Sequence, residues 1–383
     1  MLDCIQAKAS ENLAALPNYT CTLTIRRSQE NARTGKLEDR DTVRLEVAMI
    51  EGKEQFGWPG DKRIDEPEIA RLVKTGAIGS GMFGLMTRNV FLSTFTSFLF
   101  VAEEERSGRR ALKYAYHVPA GSSGCRLVFD DRDVIAGYEG LFWVDRDTLD
   151  LIELEFEAKD IPPSLRKAAA RGRIEYSRAG IGGAARLLPA VAELILQDPD
   201  GLESRNLTLF HGCREFAGQS FISFTDPAPA TARSTEPKVA EVTLPERVSL
   251  KLVLESGIRE YSAIGERVRL TVNEPLKHKG RILAPKGAVV TGRIQRLEER
   301  SGFFLIEIGF DGIEWEGSRA DLSRRRNLLS VNRPAQVYYG GPGRIGRPGS
   351  GTFGDTGEPG MLIAPAPLIS LSEGTSITLK SAK

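Results

Sequence analysis

Three glutamates at alternate positions, Glu153, Glu155 and Glu157, are the first residues here whose type and spacing suit chemistry. Paired carboxylates act as general acid and base when their surroundings split their pKa values. Ile152, Leu154 and Phe156 occupy the positions between them, so the same alternation places the glutamates on the water-facing side of a strand. His211-Gly212-Cys213 offers a nucleophile pair, since residues two apart in a strand share a face. Neither a glycine oxyanion loop nor a third orienting residue accompanies it, so catalysis is not expected there. The histidines, His117, His211 and His278, lie far apart. Cys4, Cys21, Cys125 and Cys213 show no CxxC spacing, which removes the common zinc and redox signatures. "GAIGSG" lacks the Lys-Ser/Thr of a phosphate loop. The expectation is a protein with no catalytic residues, no metal and no cofactor.

Charge excludes another class. Lys plus Arg (52) almost balances Asp plus Glu (51), so no overall field marks a nucleic-acid binder. The basic runs "RSGRR" and "SRRRN" have no aromatic platforms beside them and read as charged turns. Arg324, Arg325 and Arg326 are the better candidates for contact with a surface partner.

A chain of 383 residues exceeds the size at which one core keeps growing, so two domains are expected. Leu2, Ile5, Leu13 and Leu16 fall at helical spacing before Pro17. "YTCTLTIRR", "DTVRLEVAMI", "CRLVF", "LIELEFEA" and "NLTLF" alternate with period two, as half-buried antiparallel strands do. "GSGMFGLMTRNVFLSTFTSFLF", residues 79–100, breaks that pattern. Arg88 and Asn89 near its middle argue against a membrane span, and the stretch is expected to be an amphipathic helix lying against a sheet. Residues 226–242 are rich in Pro, Ala, Ser and Thr and read as a linker; 338–360, crowded with Gly and Pro, reads as a long loop. Between them, "GRILAPKGAVVTGRI" and "PLISLSEGTSITLKS" each place a Gly-ended corner between two β runs. Ile282, Gly287 and Val290 match Ile369, Gly374 and Ile377 across the corners, which suggests a barrel or sandwich of repeated hairpins.

With these residues laid out, two resemblances emerge. "YSAIGERVRLTVNEPLKHKGRILAPKGAVVTGRI" resembles the start of the periplasmic β-barrel in TrbI-like conjugative-transfer proteins, through Gly265, Pro285, Gly287, Gly292 and Arg293. No Pro-rich stalk or membrane helix precedes it, so the resemblance implies a fold for residues 243–383 and no secretion role. The order of helix, strands, Phe-rich insert and "LFWVDRDTLDLIELEF" over residues 1–225 is similar to the LolA/LolB-like lipoprotein-carrier superfamily. Trp143-Val144-Asp145 followed by Thr148-Leu149 carries it: Asp145 and Asp147 suit a turn in which they bond their own backbone. The resemblance implies a curved sheet wrapped round an apolar cavity, with Phe83, Leu85, Met86, Phe91, Phe95, Phe98 and Phe100 as a lid. Completing a core is the favoured role for these residues over lining a ligand cavity, and an open cavity of several hundred Å³, the order of a small-ligand site, would separate the two readings.

The expected fold is therefore β-rich α+β, a curved antiparallel sheet wrapping helices plus a smaller all-β barrel. A sheet that nearly closes brings its first and last strands together, which makes Cys21–Cys213 the candidate bridge; four free buried thiols is the alternative. "MLDCIQAKAS" shows no basic run followed by an apolar one, so no export signal is visible, while the resemblances imply a periplasmic or secreted protein. Lipid, lipoprotein or an envelope protein are the partners implied. The rival is an assembly module with no ligand cavity.

Overall fold

The computed structural model describes residues 1–61, 63–129, 132–165, 167–216, 240–300, 303–331, 360–365, 369 and 371–382. Packing divides the chain into two units, Met1–Gln219 and Ser220–Lys383.

In the first unit the elements follow in the order α1 (Leu2–Ala14), β1 (Tyr19–Glu30), β2 (Leu37–Ile50), β3 (Lys53–Gly57), α2 (Ile69–Leu72), α3 (Leu85–Leu92), β4 (Ser97–Arg106), β5 (Arg109–Val118), α4 (Ala120–Ser123) and β6 (Cys125–Phe129). Then come β7 (Arg132–Asp145), β8 (Leu151–Lys159), β9 (Ala169–Ile181), β10 (Ala184–Gln197) and β11 (Glu203–Glu215). The strands form one 11-stranded sheet in the order β3-β2-β1-β11-β10-β9-β8-β7-β5-β4, with β6 on β7. Nearly every consecutive pair is a hairpin, which is why the sequence alternation is so regular. β1 and β11, the first and last strands, pair in the middle of the sheet, and the edges are β3 and β4.

Period-two burial holds along β1, where Cys21, Leu23 and Ile25 are buried on the face shared with Tyr19. On that face Phe91 of α3 meets Phe142 of β7 edge-on, ring centroids 5.0 Å apart, and Phe142 stacks on Tyr114 at 5.3 Å. The β7–β8 turn forms as its residues require: Asp145 Oδ1 accepts the N–H groups of Asp147 and Thr148, each at 2.9 Å. Asp145 alone carries this bond; the described contacts give Asp147 no such role.

Three sequence expectations change. The Phe-rich stretch is not one helix: α3 stops at Leu92, and Ser97 begins edge strand β4, paired with β5. Phe and Leu suit either conformation, and pairing with β5 outweighs continuation of the helix. The glutamate row of β8 is not uniformly water-facing. Glu153 is buried, because Arg106 folds over it with Nη2 to Oε1 at 2.6 Å and lies on the Trp143 ring, 4.3 Å from its centroid. Only Glu157 of the row is fully exposed.

The third concerns the second unit, built from β12 (Ala240–Glu241), β13 (Arg247–Leu254), β14 (Arg267–Val272), β15 (Leu276–His278), β16 (Arg281–Ala284), β17 (Val289–Arg300) and β18 (Phe303–Trp315). β19 (Ser318–Asp321), β20 (Arg326–Val331), β21 (Met361–Pro365) and β22 (Ser376–Ala382) complete it. Its main sheet runs β12-β19-β18-β17-β14-β13-β22-β20 with β21 on β18, while β15 and β16 pair apart. Among the described residues the ladder is open rather than a closed barrel, although the Gly360 N–H of the turn before β21 bonds the Asn327 carbonyl of β20.

The two Gly-ended corners are not hairpins. The strand after each one pairs with a strand from elsewhere, β17 with β14 and β22 with β13. Gly287 N–H donates to the Val272 carbonyl at 2.8 Å, and Val272 N–H returns to Ala288 at 2.8 Å. Gly374 N–H donates to Leu254 at 2.9 Å, and Leu254 N–H returns to Thr375 at 3.0 Å. Each corner is thus clamped to a strand end by a reciprocal pair, with its glycine at φ +88° or +81°, a region costly for other residues. The apolar matching is partial: Val290 and Ile377 are both buried, but Ile282 is 59% exposed where Ile369 is 1%.

Ala240–Glu241, inside the expected linker, form a short parallel pairing with β19. The remainder of that linker through 239, and the Gly/Pro-rich stretch through 359, lie outside the described residues.

Candidate functional site

α1 and the start of α3 lie over the aromatic face of the first sheet and enclose a cavity of about 40 Å³. Its walls are Ile5, Ala9, Asn12, Leu13 and Leu16 from α1 and the turn after it; Phe83, Gly84, Thr87 and Phe91 from the α3 region; and Tyr19, Val144, Leu149, Leu151, Tyr176, Leu187 and Pro189 from the sheet side. This volume is near that of one water molecule, well short of a small-ligand site. In this form the interior is filled by its own side chains.

The helix over the cavity is lightly held. Ile5 is the one α1 side chain buried outright, and α1 has no side-chain N-cap. Asn12 Nδ2 reaches Asp150 Oδ1 at 3.4 Å, and Asp150 is already held by a bidentate pair with Arg178 at 2.7 and 2.8 Å. Burying one isoleucine contributes about 1.5–3 kcal/mol, and the half-buried Leu13 and Leu16, which also line the cavity, add to the cost of displacing α1.

α3 is held differently. Gly84, its N-cap, has no side chain to cap with, and Glu54 of β3 does so from across the sheet. Glu54 accepts the N–H groups of Gly81 at 2.8 Å, Gly84 at 3.0 Å and Leu85 at 3.3 Å, at the end of the helix where a negative charge is favoured. Burial raises the Glu54 pKa above its ordinary 4.5, with the backbone donors opposing that shift. The native state therefore keeps this proton at pH values where the unfolded chain has released it. Its stabilising contribution is complete below about pH 4.5 and is lost as pH rises through the raised native pKa. Glu54→Gln is expected to flatten that decline in a series of urea midpoints against pH; an unchanged slope would assign the decline to another group.

Three hydroxyls face the cavity. Thr87 Oγ1 and Tyr176 Oη lie 2.5 Å apart in a shared hydrogen bond. Tyr19, 1% exposed, packs on Phe83 with centroids 4.9 Å apart. Burial pushes the pKa of both tyrosines well above the usual phenol value, so both remain neutral donors.

Of the seven expected lid residues, Phe83 and Phe91 line the cavity. Leu85 and Met86 are half-buried on α3, and Phe98 packs against Phe142 at 6.0 Å. Phe95 and Phe100 are 70% and 52% exposed, the latter packed against Tyr114 on the sheet edge. Sequence spacing had marked Ile5, Leu13 and Leu16 as one apolar helix face; nothing in the sequence linked Tyr19, Thr87 and Tyr176.

The opposite sheet face carries an open trough of about 710 Å³ across β4, β5, β7, β8, β9 and β10. It is an open surface of apolar and charged side chains, and its charges are paired: Arg173 with Glu193 at 3.2 Å within it, and Glu157 and Glu139 with Lys159 beside it at 3.1 and 3.2 Å.

The remaining candidates are placed as follows. Cys21 and Cys213 meet across the β1–β11 ladder at a bulge and are joined, Sγ–Sγ 1.96 Å. Cys4 is exposed and Cys125 half-buried, both free. With Cys213 bonded to Cys21, and His211 Nε2 3.0 Å from Thr24 Oγ1, the His-Cys pair has no free thiol. The arginine triplet divides: Arg325 turns inward to Ser381 Oγ at 2.9 Å and the Glu246 carbonyl at 3.0 Å, leaving Arg324 and Arg326 exposed. No group of three or more His, Cys, Asp or Glu positioned for a metal occurs among the described residues, and none of their helices is long and apolar enough to cross a membrane.

The first unit thus belongs to the class of large antiparallel sheets with short helices packed on one face. No family model and no curated protein matches the sequence. Among solved structures, the chain is similar to a domain described as an outer membrane lipoprotein-sorting protein, from Vibrio parahaemolyticus: 13% identity, 58% of this chain, 96% of that one, TM-score 0.32. It is also similar to a DUF1329 family protein from Desulfovibrio piger: 12% identity, 57% and 95% covered, TM-score 0.32. Superpositions this loose add nothing to what the geometry supports, and neither bears on the TrbI-like resemblance.

Proposed function

We propose that the first unit is a non-enzymatic binding module of the cell envelope, which takes an apolar ligand, a lipid or the lipid-bearing end of a protein, between its sheet and α1. One observation carries this reading: a mainly apolar cleft is closed by a helix with a single fully buried side chain. A cover of that kind occupies the site until a ligand replaces its contacts. The Cys21–Cys213 bridge fits an oxidising compartment, hence a periplasmic or secreted location. The second unit, with its TrbI-like resemblance and exposed Arg324 and Arg326, is assigned to docking an envelope protein.

Titration of the full chain with the neutral fluorophore N-phenyl-1-naphthylamine tests the cleft. Saturable binding at micromolar protein is expected, tighter in Ile5→Asp, where a buried carboxylate expels α1. No saturable binding by either protein ends the reading.

A second reading, an assembly module without a ligand cavity, is favoured by the 40 Å³ volume and by Leu99, Phe100 and Val101 lying 69%, 52% and 47% exposed on edge strand β4. Failure of both titrations would leave that reading standing.

A further inference from the structure

We infer that the ligand of the first unit carries an uncharged polar end, an alcohol or ester, seated on the hydroxyls of Tyr19, Thr87 and Tyr176. This rests on the reading that the cleft takes an apolar ligand, and it adds the chemical class of the head group.

Tyr19 is 1% exposed as a residue and lines the cavity; its hydroxyl has no hydrogen bond among the described contacts, yet it is not one of the fully buried polar atoms left without a partner, so the oxygen itself opens onto the space. A hydroxyl that opens onto an apolar space without a protein partner marks a place where a polar ligand atom would be accepted. Thr87 and Tyr176 line the same cavity with their mutual bond, and each hydroxyl retains capacity for one more. Three neutral groups that both donate and accept therefore converge on one apolar space.

No Lys, Arg, His, Asp or Glu lines that space. The nearest charges stand outside its walls. Glu54 lies behind Gly84, its oxygens taken by backbone donors; a Cβ placed on Gly84 would sit 3.9 Å from Tyr19 Oη. The Arg88 guanidinium lies outside the walls over the β2–β3 turn, 3.3 Å from where a Cβ on Gly52 would be, and has the smallest of the effects acting on the Tyr19 hydroxyl. A carboxylate or phosphate would thus find no counter-charge on the walls while losing its hydration. An ester or alcohol loses far less, and the waiting hydroxyls replace its hydrogen bonds.

The test is displacement of N-phenyl-1-naphthylamine from the full chain by amphiphiles of one chain length: a monoacylglycerol, the fatty acid and the monoalkyl phosphate. The monoacylglycerol is expected to displace the probe at about tenfold lower concentration than either anion, the worth of one or two net hydrogen bonds. Tyr19→Phe with Tyr176→Phe, which keeps the rings, should reduce that ratio to about threefold or less while the probe still binds. Displacement by an anion as readily as by the monoacylglycerol, or a ratio indifferent to the two substitutions, overturns the neutral-head assignment and leaves the apolar cleft intact. Absence of saturable probe binding overturns both.

Discussion

Reduction of the Cys21–Cys213 bridge is expected to lower the stability of the first unit by about 5 kcal/mol. The two residues stand 192 positions apart, and the chain-entropy estimate for so long a loop gives roughly that value. They sit on adjacent strands, β1 and β11, so the bridge restricts the unfolded chain and adds little to a contact the ladder already makes. For a unit of this size the loss corresponds to a fall in melting temperature on the order of 10–20 °C. Calorimetry with and without reductant measures it, and residues 220–383, which contain no cysteine, supply an internal control. Thiol counting in denaturant should give two reactive groups before reduction and four after. Four groups before reduction, or a shift of less than about 2 °C, would refute the bridge or its role.

Asp41→Ala is the second large effect. Arg27 and Asp41 pair in register on β1 and β2, with Nε–Oδ1 and Nη2–Oδ2 both at 2.6 Å and side chains only 1% and 3% exposed. Arg27 Nη1 also donates to the Thr75 carbonyl at 2.5 Å, and Gly76 at φ +75° lets that segment lie on the guanidinium; a Cβ there would fall 3.0 Å from Nη1. Removing the carboxylate strands a buried cation and is expected to cost about 3–5 kcal/mol in equilibrium unfolding. Replacing both partners with apolar residues, Arg27→Met with Asp41→Leu, should recover much of that loss, because the fully buried cation goes with its partner and only Arg40, 3.6 Å from Asp41 and 17% exposed, loses an ion pair. Recovery stays incomplete through the orphaned Thr75 carbonyl. A single-variant loss below about 1 kcal/mol would show that water reaches the pair.

Much of the first sheet was legible because a strand buried on one face must alternate. Cys21, Leu23 and Ile25 declare their shared face without any knowledge of the partner strands. The same rule failed at Glu153. Alternation says which side a residue points to, not whether a distant chain covers that side, and Arg106 arrives from a strand 47 residues away. Composition likewise left residues 79–100 ambiguous: helix or strand was decided when Ser97–Arg106 found β5 as a partner. The corners at Gly287 and Gly374 were visible as turns, but their clamps to Val272 and Leu254 depend on strands that lie elsewhere in sequence.

The sequence by itself determined a β-rich chain, the faces of its strands, an apolar face on the first helix and the absence of common catalytic or zinc motifs. These follow from local periodicity and residue type. Only the tertiary structure decided that α1 and α3 fill the first sheet's apolar face to about 40 Å³, and that the hydroxyls of Tyr19, Thr87 and Tyr176 meet there. Tyr176 and Thr87 are 89 residues apart, and their 2.5 Å contact exists only because antiparallel pairing places β9 beneath α3. Side-chain convergence across a sheet is set by strand order, and strand order leaves no local mark on the sequence.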